Sequence, residues 1–314
     1  MLLKELSYYK TGGTCDRLVE PSSIKELSSA MVDIDKQRIQ YFLLGAGSNS
    51  LIMDDHWPGA VICLRRMTKI SFNGTHVNAE AGIDNSDFSQ ACYQASLDGA
   101  SWMYYMPGQL GGTIRMNARC YGGEIGRIVE SVTALTNTGK IKQYEGKQVF
   151  GGYKNTIFMT NGEIVVSARF KLKHGDAAAI NQDMKFCQFD REANHQFSYP
   201  SCGCVFKNNY EAGIPSGLLL QEADVKTLST DLVEIGPYHA NFVFNKGATA
   251  YQILETTLKM RECVFAKFGV WLDYEMEVLG AIPDELSLCY HESRPQQFKY
   301  EMLEPLRARF REKT

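Results

Sequence analysis

The fold of this chain is decided by residues 106–126, which read Met106-Pro-Gly-Gln-Leu-Gly-Gly-Thr-Ile-Arg-Met-Asn-Ala-Arg-Cys-Tyr-Gly-Gly-Glu-Ile-Gly126. Six of these residues are glycine, a proline stands near the head, and no long apolar run occurs. Glycine costs backbone entropy and contributes no side-chain packing, so this composition does not favour a packed helix or strand. It suits a backbone that turns tightly and approaches a flat or phosphorylated ligand, although a plain surface loop carries glycines just as readily.

Length and composition limit the class of protein. The chain of 314 residues has room for about two domains, and its 44% hydrophobic and 22% charged residues are typical of a globular protein with a sizeable core. A net charge of −3 and a pI of about 6.1 give no basic excess, so we expect no nucleic-acid partner. No apolar run is long enough to span a bilayer, and charges interrupt the first residues where a signal peptide needs an apolar core. We therefore predict a cytoplasmic protein without a membrane span.

The cysteines indicate reduced thiols. Nine cysteines are scattered along the chain, an odd number, and no Cys-x-x-Cys pair occurs. This pattern favours a reducing cytoplasm over either a disulfide framework or a zinc site. Cys202 and Cys204 stand too close together and too far from other ligands for a structural metal site, so we predict no metal.

Hydrophobic periodicity predicts a mixture of helices and strands. Helices are predicted from residue 21 onward, with Ser23 and Glu26 at capping spacing, and over residues 86–97, 177–191, 218–223 and 249–268. Strands are predicted over residues 41–44, 60–64, 69–72, 76–79, 131–136, 140–144, 164–172, 201–209, 241–245 and 270–279. Asn137-Thr-Gly139 is typical of a hairpin turn. The end of the chain carries apolar residues at helical spacing around Pro305, which we expect to break that helix.

A second glycine-rich loop, Gly45-Ala-Gly-Ser-Asn-Ser50, follows the predicted strand 41–44. It does not match the nicotinamide dinucleotide fingerprint, because Ser50 replaces the third glycine and a strand-like run follows instead of a helix. Successive backbone amides, with the side chains of Ser48 and Asn49, would still hold a phosphate. Taken alone, this loop fits both an anion site and a plain turn.

The two glycine loops, in this order and followed by Gly203-Cys-Val-Phe-Lys-Asn208, resemble those of one family closely. It is the family of UDP-N-acetylenolpyruvoylglucosamine reductase, the flavin enzyme MurB of peptidoglycan synthesis. The matching loops are Leu44-Gly-Ala-Gly-Ser-Asn49 and residues 106–124. Further matches are Val19-Glu-Pro21, Ala81-Gly82, Pro215-x-Gly217, His239-Ala-Asn-Phe242 and Leu272-Asp-Tyr-Glu275. The resemblance runs in order from about residue 10 to residue 280 and leaves only the end of the chain outside.

The resemblance implies an α+β chain in three parts. An FAD-binding domain of the vanillyl-alcohol-oxidase (PCMH) type would cover residues 1–173, a smaller α+β substrate-binding domain residues 174–280, and a C-terminal tail residues 281–314. The short link between Leu172 and Ser201 places the chain with the shorter type of family member. The residues implied to bind the cofactor are Gly45, Gly47, Ser48 and Asn49 near the pyrophosphate, and Gly111, Gly112, Asn117 and Gly122 along its length.

The implied reaction is the NADPH-dependent reduction of UDP-N-acetylglucosamine-enolpyruvate to UDP-N-acetylmuramate through bound FAD. It belongs to peptidoglycan precursor synthesis and so serves cell wall biogenesis, cell shape and cell division. The enolpyruvyl group accepts hydride at its terminal carbon, enolate charge develops beside the carboxylate, and the adjacent carbon must be protonated. The implied partners are small molecules only, a UDP-sugar and NADPH, and we expect a monomer.

Three positions carry over as catalytic. Cys204 stands in place of the usual serine proton donor, and a thiol with a reference pKa of about 8.5 is protonated at neutral pH; the alternative is a small buried hydrophobe. Glu275 would act as an acid or hold the donor network, the alternative being a solvated strand residue that shares its face with Glu277. Lys154 replaces the arginine of a Tyr-Arg-x-Ser motif, here Tyr153-Lys-Asn-Thr156. Lysine keeps the charge but loses the planar fork, so Lys154 is either a point charge or an ordinary surface residue.

The remaining implied positions bind substrate. Tyr153 belongs to the same motif as Lys154, Lys207 and Asn208 are candidates for the diphosphate or the sugar, and Gln221 stands where the family has an acidic residue. We interpret His239 as a structural histidine.

Two other functions stay open. A flavin oxidase on the same fold is disfavoured because neither glycine loop holds a histidine that could tether the flavin covalently. A diverged paralogue, acting on another substrate or only as a binding protein, is suggested by the changes at Lys154, Cys204 and Gln221.

Overall fold

The computed structural model describes residues 2–311. In this part the helices are α1 (Ile24–Gln37), α2 (Asn85–Gln94), α3 (Leu110–Arg115), α4 (Gly146–Val149), α5 (Ala177–Ala193), α6 (Ser216–Glu222), α7 (Ala250–Phe268), α8 (Asp284–Tyr290) and α9 (Tyr300–Arg311). The strands are β1 (Cys15–Val19), β2 (Tyr41–Leu44), β3 (Ser50–Ile52), β4 (Trp57–Cys63), β5 (Ile70–Asn73), β6 (His76–Glu80), β7 (Leu97–Asp98), β8 (Arg119–Cys120), β9 (Gly123–Glu124), β10 (Val129–Leu135), β11 (Ile141–Glu145), β12 (Phe150–Gly152), β13 (Asn155–Thr156), β14 (Ile164–Lys171), β15 (Lys173–His174), β16 (Val233–Ile235), β17 (Val243–Asn245) and β18 (Glu277–Leu279). The predicted α+β class is confirmed.

The described chain divides into two compact units. The sheet unit comprises Cys15–Ala46 and Pro58–Ala193, and the helix unit comprises Met1–Thr14, Gly47–Trp57 and Asn194–Thr314 as far as these are described. The predicted division into residues 1–173, 174–280 and 281–314 differs from this in three respects. Residues 2–14 and 47–57, predicted for the first domain, belong to the helix unit. Helix α5 belongs to the sheet unit because it packs on α2, and α8 and α9 of the predicted tail belong to the helix unit because both pack on α7. Residues 1 and 312–314, which that prediction also covers, lie outside the described part.

The sheet unit is built on two sheets. An antiparallel sheet has the strand order β11-β10-β14-β6-β5, and a smaller sheet has the order β1-β4-β2 with β2 and β4 parallel. Strand β14 lies at the centre of the larger sheet, where most of its side chains are buried. The predicted hairpin at Asn137-Thr-Gly139 joins β10 to β11, and Gly139 takes the positive φ of 80° that this turn requires.

The helix unit is organised around α7. Thr249 caps its start in a capping box with Gln252, Gly269 ends it with φ 66°, and its buried face includes Leu254, Val264 and Phe268. These bounds match the predicted helix over residues 249–268. Strands β3 and β18 pair in parallel beside it, and β16 pairs with β17 antiparallel.

Three predictions about local structure are wrong. The glycine-rich stretch contains the helix α3, which the composition disfavoured. Residues 201–209 and 270–276, all described, form isolated bridges instead of a ladder, and Gly203 turns the first of these segments with φ 74°. Pro305 lies inside α9 and does not break it.

Candidate active site

The six glycines of residues 106–126 serve different purposes in the sheet unit. At Gly111 a Cβ atom would lie 2.9 Å from the Cβ of Ala81, and the Gly111 amide donates to the Ala81 carbonyl over 2.8 Å. At Gly123 a Cβ would lie 2.2 Å from the ring of Trp102, and at Gly126 one would lie 2.9 Å from the ring of Phe150. Packing therefore accounts for glycine at these three positions.

Gly112 and Gly122 differ from them because both face open space. No atom lies within 4 Å of the position that a Cβ would take at either residue. The positive φ of Gly122, 76°, explains a glycine there, but Gly112 lies within α3 without a positive φ. Glycine in a helix costs about 1 kcal/mol relative to alanine, and neither conformation nor packing demands it at this position. A ligand approaching the backbone of α3 would supply the missing reason.

Asn117 holds the second glycine loop together. Its buried amide donates to the carboxylate of Glu124 over 2.9 Å and to the Gly152 carbonyl over 2.8 Å, and its oxygen accepts from the amide of Gly126 over 3.3 Å. Asn117 itself takes φ 42°, a region that asparagine tolerates better than most residues. The side chain thus fixes the curvature of the loop.

The first glycine loop begins in the sheet unit at Gly45. A Cβ at Gly45 would lie 3.7 Å from the side-chain oxygen of Gln109, the residue that precedes α3. The start of the first loop and the second loop are therefore neighbours. Gly45 thus lies beside the residue that precedes α3, the helix that carries Gly112.

The rest of the first loop lies in the helix unit. Gly47 takes φ 68°, and a Cβ there would lie 2.9 Å from the Cα of Ser7, so packing requires this glycine. Ser48 is half-buried. The side-chain amide of Asn49 donates to the main-chain carbonyl of Glu275 over 2.9 Å, and the amide of Glu277 donates to the Asn49 carbonyl over 3.0 Å. Asn49 is thereby fixed beside the segment that carries Glu275.

Cys204 and Glu275 are held on adjacent backbone segments. The amides of Glu275 and Met276 both donate to the carbonyl of Val205, over 2.8 and 3.1 Å. Two successive amides that share one carbonyl form a β-bulge, which redirects side chains and is common beside active sites. On its other side Cys204 bridges to Phe242. The fold thus brings these two predicted catalytic residues together, although they are far apart in the sequence.

A buried thiol, Cys202, lies near both Cys204 and Glu275. Burial raises the pKa of Cys202 strongly, and the nearby Cys204 and Glu275 raise it further. Tyr9 is its hydrogen-bond partner, and the Tyr9 hydroxyl in turn donates to the Val243 carbonyl over 2.7 Å. Cys202 therefore stays protonated. No role was predicted for Tyr9, because its partners lie on a remote part of the chain.

Asn241 fixes the segment that follows Cys204. Its side-chain oxygen accepts from the amide of Phe206 over 2.9 Å, and its amide donates to the Phe206 carbonyl over 2.8 Å. Asn241 lies in the matched motif His239-Ala-Asn-Phe242, but no role was predicted for it. Its only signal in the sequence is an asparagine among apolar residues. His239 accepts from the Asn241 amide over 3.3 Å, and burial lowers the pKa of its ring. That arrangement fits a structural histidine.

Tyr153 and Lys154 form the turn between β12 and β13 in the sheet unit, where Lys154 takes φ 50°. Thr156, the last residue of this motif, donates its hydroxyl to the Arg115 carbonyl at the end of α3 over 2.6 Å. The guanidinium carbon of Arg119 lies 4.2 Å from the centre of the Tyr153 ring. The hairpin that carries Lys154 is therefore attached to the second glycine loop, and Lys154 itself is half-buried.

A cluster on α5 borders the same loop. Arg191 is 9% exposed and donates to the sulfur of Cys120 over 3.3 Å, while Tyr121 donates to the carboxylate of Asp190 over 2.7 Å. Burial raises the pKa of the Cys120 thiol, and the charges of Arg191 and Lys154 oppose that rise. Lys154 is thus within electrostatic range of Cys120. Sequence reasoning missed this cluster, since α5 carries no motif.

The predicted substrate residues Lys207 and Asn208 precede α6 and contact its first residue, Ser216. The hydroxyl of Ser216 donates to the Lys207 carbonyl over 2.6 Å, and the amide of Ser216 donates to the side chain of Asn208 over 2.9 Å. Gln221 lies on α6 and is exposed. These contacts fix the backbone of Lys207 while its side chain remains half-buried.

Neither a metal cluster nor a membrane helix is found within residues 2–311. No group of three or more histidine, cysteine, aspartate or glutamate side chains in that range could hold a metal ion. None of the helices described there is long and apolar enough to cross a membrane.

Comparisons with known proteins point to one family. The model of an FAD binding domain matches residues 15–144, and the model of the UDP-N-acetylenolpyruvoylglucosamine reductase C-terminal domain matches residues 195–279. The reductase of that name from Latilactobacillus sakei is 34% identical over 279 residues, which are 88% of this chain and 91% of that protein. The one from Clostridium novyi is 32% identical over 281 residues, 89% of this chain and 91% of that protein.

A solved structure agrees with these relatives. The crystal structure of UDP-N-acetylenolpyruvylglucosamine reductase (MurB) from Thermus caldophilus matches with a TM-score of 0.75 and 28% identity, covering 89% of this chain and 97% of that one. The match therefore includes both the FAD-binding and the C-terminal domain. This chain belongs to the UDP-N-acetylenolpyruvoylglucosamine reductase family.

Proposed function

We propose that this protein reduces the enolpyruvyl group of UDP-N-acetylglucosamine-enolpyruvate to give UDP-N-acetylmuramate, with FAD bound and NADPH as co-substrate. The family relationship supports an FAD-containing oxidoreductase of peptidoglycan precursor synthesis. The observation that carries the proposal is the backbone bond of 2.8 Å from the Glu275 amide to the Val205 carbonyl. This bond holds the main chain of Glu275 next to Val205, the residue after Cys204, and so supports a pairing of the Glu275 carboxylate with the Cys204 thiol.

The glycine loops fit a flavin. Gly112 and Gly122 present backbone without a neighbouring atom within 4 Å of a Cβ position, and Gly45 lies next to Gln109 at the start of α3. Bound flavin supplies the hydride transfer that protein side chains cannot perform. We assign Gly47, Gly111 and Asn117 to shaping the two loops. Ser48 and Asn49 are assigned to the pyrophosphate of the cofactor.

We assign proton donation to Cys204. The substrate carbon beside the carboxylate must gain a proton when the terminal carbon gains hydride, so a donor has to stand at that carbon. Cys202 is excluded from this role because it is buried, because burial raises the pKa of its thiol and so opposes release of the proton, and because it is engaged with Tyr9. Glu275 would hold or resupply the proton of Cys204, since a carboxylate can accept a hydrogen bond in one state and donate one in the other.

Cationic side chains would stabilise the negative charge of the substrate. We assign Lys154, fixed in its turn by the bond of Thr156 to α3, to the enolate as a point charge, with Tyr153 beside it. Lys207, Asn208 and Gln221 are assigned to the diphosphate and the sugar. A diphosphate needs at least one cation and several donors, which these side chains provide.

Anaerobic spectra of the purified protein test this proposal. We expect a yellow protein that releases free FAD on denaturation, loses its visible absorbance with NADPH, and regains it on addition of the enolpyruvyl sugar nucleotide. Bleaching without recovery would mean that the substrate is a different one. Absence of bound flavin, even after incubation with FAD, would contradict the proposal and favour a binding protein.

We also propose that the protein works as a cytoplasmic monomer. NADPH and nucleotide sugars are cytoplasmic metabolites, and the net charge of −3 disfavours association with acidic surfaces. Sedimentation of the flavin-loaded protein at several concentrations measures the oligomeric state. A mass of twice 35.3 kDa at all concentrations would contradict the monomer.

A further inference from the structure

We propose that the C-terminal segment after residue 279 positions Glu275 for proton transfer, and that Tyr290 is the residue through which it acts. This inference rests on the proposed function, because it concerns the same carboxylate. The match to the reductase C-terminal domain ends at residue 279, so α8 and α9 lie beyond it. Both helices pack on α7 and bury Leu286, Leu303 and Leu306.

Tyr290 binds the segment of Glu275 with both its ring and its hydroxyl. The ring lies 4.7 Å from the ring of Tyr274, between centres. The hydroxyl donates to the Met276 carbonyl over 3.2 Å and accepts from the Val278 amide over 3.4 Å. Burial raises the pKa of this hydroxyl, so it stays protonated and able to donate. Tyr290 therefore contacts Tyr274, which precedes Glu275, and Met276 and Val278, which follow it.

The position of Tyr290 is in turn fixed by Arg261 of α7. The buried guanidinium of Arg261 donates to the carbonyls of Cys289 and Tyr290 at the end of α8. Its carbon also lies 4.2 Å from the ring centre of Trp271 and 4.8 Å from that of Tyr274. A cation at a helix C-terminus is favourable, and stacking on two aromatic rings adds to this. Arg261 thus joins α7, the end of α8 and the segment of residues 271–274 that leads to Glu275.

The other side of Glu275 is held by residues within the two matched domains, Asn49 in the first and Val205 in the second. Asn49 donates to its carbonyl over 2.9 Å, and its own amide donates to Val205 over 2.8 Å. The main chain of Glu275 is therefore held on this side, and its neighbours Tyr274, Met276 and Val278 are held by Tyr290. With both sides fixed, the main chain from which the Glu275 carboxylate projects is held in place. A shift of about 1 Å in a reacting group costs on the order of 100-fold in rate.

The test compares Tyr290→Phe, which removes only the hydroxyl, with Tyr300→Phe in α9 as a matched control. Tyr300 is 56% exposed, and its ring lies 6.1 Å from that of Phe298. Three quantities are measured in each holoenzyme: amide exchange over residues 274–279, the rate of flavin bleaching by NADPH, and the rate of re-oxidation by the enolpyruvyl sugar nucleotide. The free energy of unfolding is measured alongside.

For Tyr290→Phe we expect faster exchange over residues 274–279, bleaching at the rate of the unchanged protein, and re-oxidation slowed roughly tenfold. The pH profile of re-oxidation should shift as well, because the substitution changes the surroundings of Glu275. Tyr300→Phe should match the unchanged protein in all these measurements. Re-oxidation of Tyr290→Phe at the full rate would overturn the inference, and so would an equal slowing of both half-reactions together with a loss of stability, which would indicate a structural role only.

Failure of the proposed function gives a different result. In that case the unchanged protein would be bleached by NADPH but not re-oxidised by the sugar nucleotide. The catalytic part of the inference would then be wrong too. Faster exchange in Tyr290→Phe would still establish that Tyr290 holds the segment, and unchanged exchange would overturn that as well.

Discussion

The side-chain amide of Asn49 donates a hydrogen bond of 2.9 Å to the main-chain carbonyl of Glu275. Asn49 was predicted to bind the cofactor and Glu275 to take part in proton transfer, so one hydrogen bond joins two functions. The pairing of β3 with β18 directly after these residues makes the connection rigid, since Ser50 pairs with Glu277. A change at Asn49 should therefore affect the carboxylate as well as the cofactor.

Asn49→Ala tests this link. Loss of the donor should lower the free energy of unfolding of the flavin-free protein by about 1 kcal/mol, because the Glu275 carbonyl loses its partner. Re-oxidation by the sugar nucleotide should slow even at saturating FAD, which stopped-flow spectroscopy measures. Asn73→Ala, on the exposed strand β5, is the control. Full re-oxidation with saturating FAD would show that Asn49 serves the cofactor alone.

Gly111 and Gly112 provide a matched pair of variants. Gly112→Ala should leave the stability of the flavin-free protein unchanged or raise it by up to about 1 kcal/mol, because alanine favours helix and meets no atom within 4 Å. Gly111→Ala should lower it by about 1–3 kcal/mol, because its Cβ would lie 2.9 Å from that of Ala81. Urea unfolding measures both values.

The same pair separates packing from ligand binding. Flavin titration of Gly112→Ala should show affinity at least tenfold weaker than that of the unchanged protein, if the open face of α3 receives the cofactor. Gly111→Ala should bind flavin in proportion to its folded fraction. Unchanged affinity in Gly112→Ala would place the flavin elsewhere on the sheet unit.

The elements that could be predicted from sequence are those with local causes. Helix α7 has its cap at Thr249, its apolar stripe and its terminating Gly269 within one stretch, and the structure gives the predicted bounds. Helix α3 could not be predicted in the same way. Gly111 is required because α3 packs closely against Ala81, which lies on a separate segment before α2. Composition alone does not reveal that contact and therefore indicated a loop. Non-local packing overrode local propensity there.

In the candidate site, too, the residues that lie in sequence motifs could be predicted, whereas those that act through tertiary contacts could not. Cys204 and Glu275 were identified by motifs, and the bond between Glu275 and Val205 brings them together. Tyr290 and Arg191 were missed, because each acts on a segment remote in sequence and neither lies in a motif. Contacts of this kind follow from tertiary packing, which a single sequence does not reveal.

Cys204 should be replaceable by serine but not by alanine. Serine keeps an O–H donor at the same place, so Cys204→Ser should retain re-oxidation within about tenfold, whereas Cys204→Ala should lose on the order of 100- to 10,000-fold. Bleaching by NADPH should be unchanged in both variants. Cys289→Ser, at an exposed cysteine of α8, is the control. Full activity of Cys204→Ala would remove this thiol from the mechanism.

His239 should make stability depend on pH. Burial lowers the pKa of its ring, with Lys226 adding to this, so the folded state holds it neutral where the unfolded chain already binds a proton. As the pH falls below the unfolded value of about 6.5, the unfolded state binds more protons and stability decreases, by at most about 1.4 kcal/mol per pH unit.

His239→Asn keeps an acceptor for the Asn241 amide but does not titrate. Its free energy of unfolding should therefore fall less between about pH 7 and pH 5 than that of the unchanged protein, as urea unfolding at each pH would show. His174→Asn, at an exposed histidine of β15, should retain the full dependence. An identical pH dependence in His239→Asn would assign the effect to other groups.

Lys154→Arg tests whether lysine is the functional cation of this site or marks a site that has lost activity. Lys154 occupies a turn at φ 50° and is half-buried, and Arg119 already stacks on the adjacent Tyr153 at 4.2 Å. A larger, planar cation would crowd that arrangement, so we expect Lys154→Arg to slow re-oxidation several-fold and Lys154→Met to slow it more, since the charge itself is lost. Lys147→Arg and Lys147→Met, in the short helix α4, are the controls. A large rise in the rate of Lys154→Arg would instead indicate a site that has lost activity by drift, with arginine restoring the planar pair of donors that a carboxylate binds best.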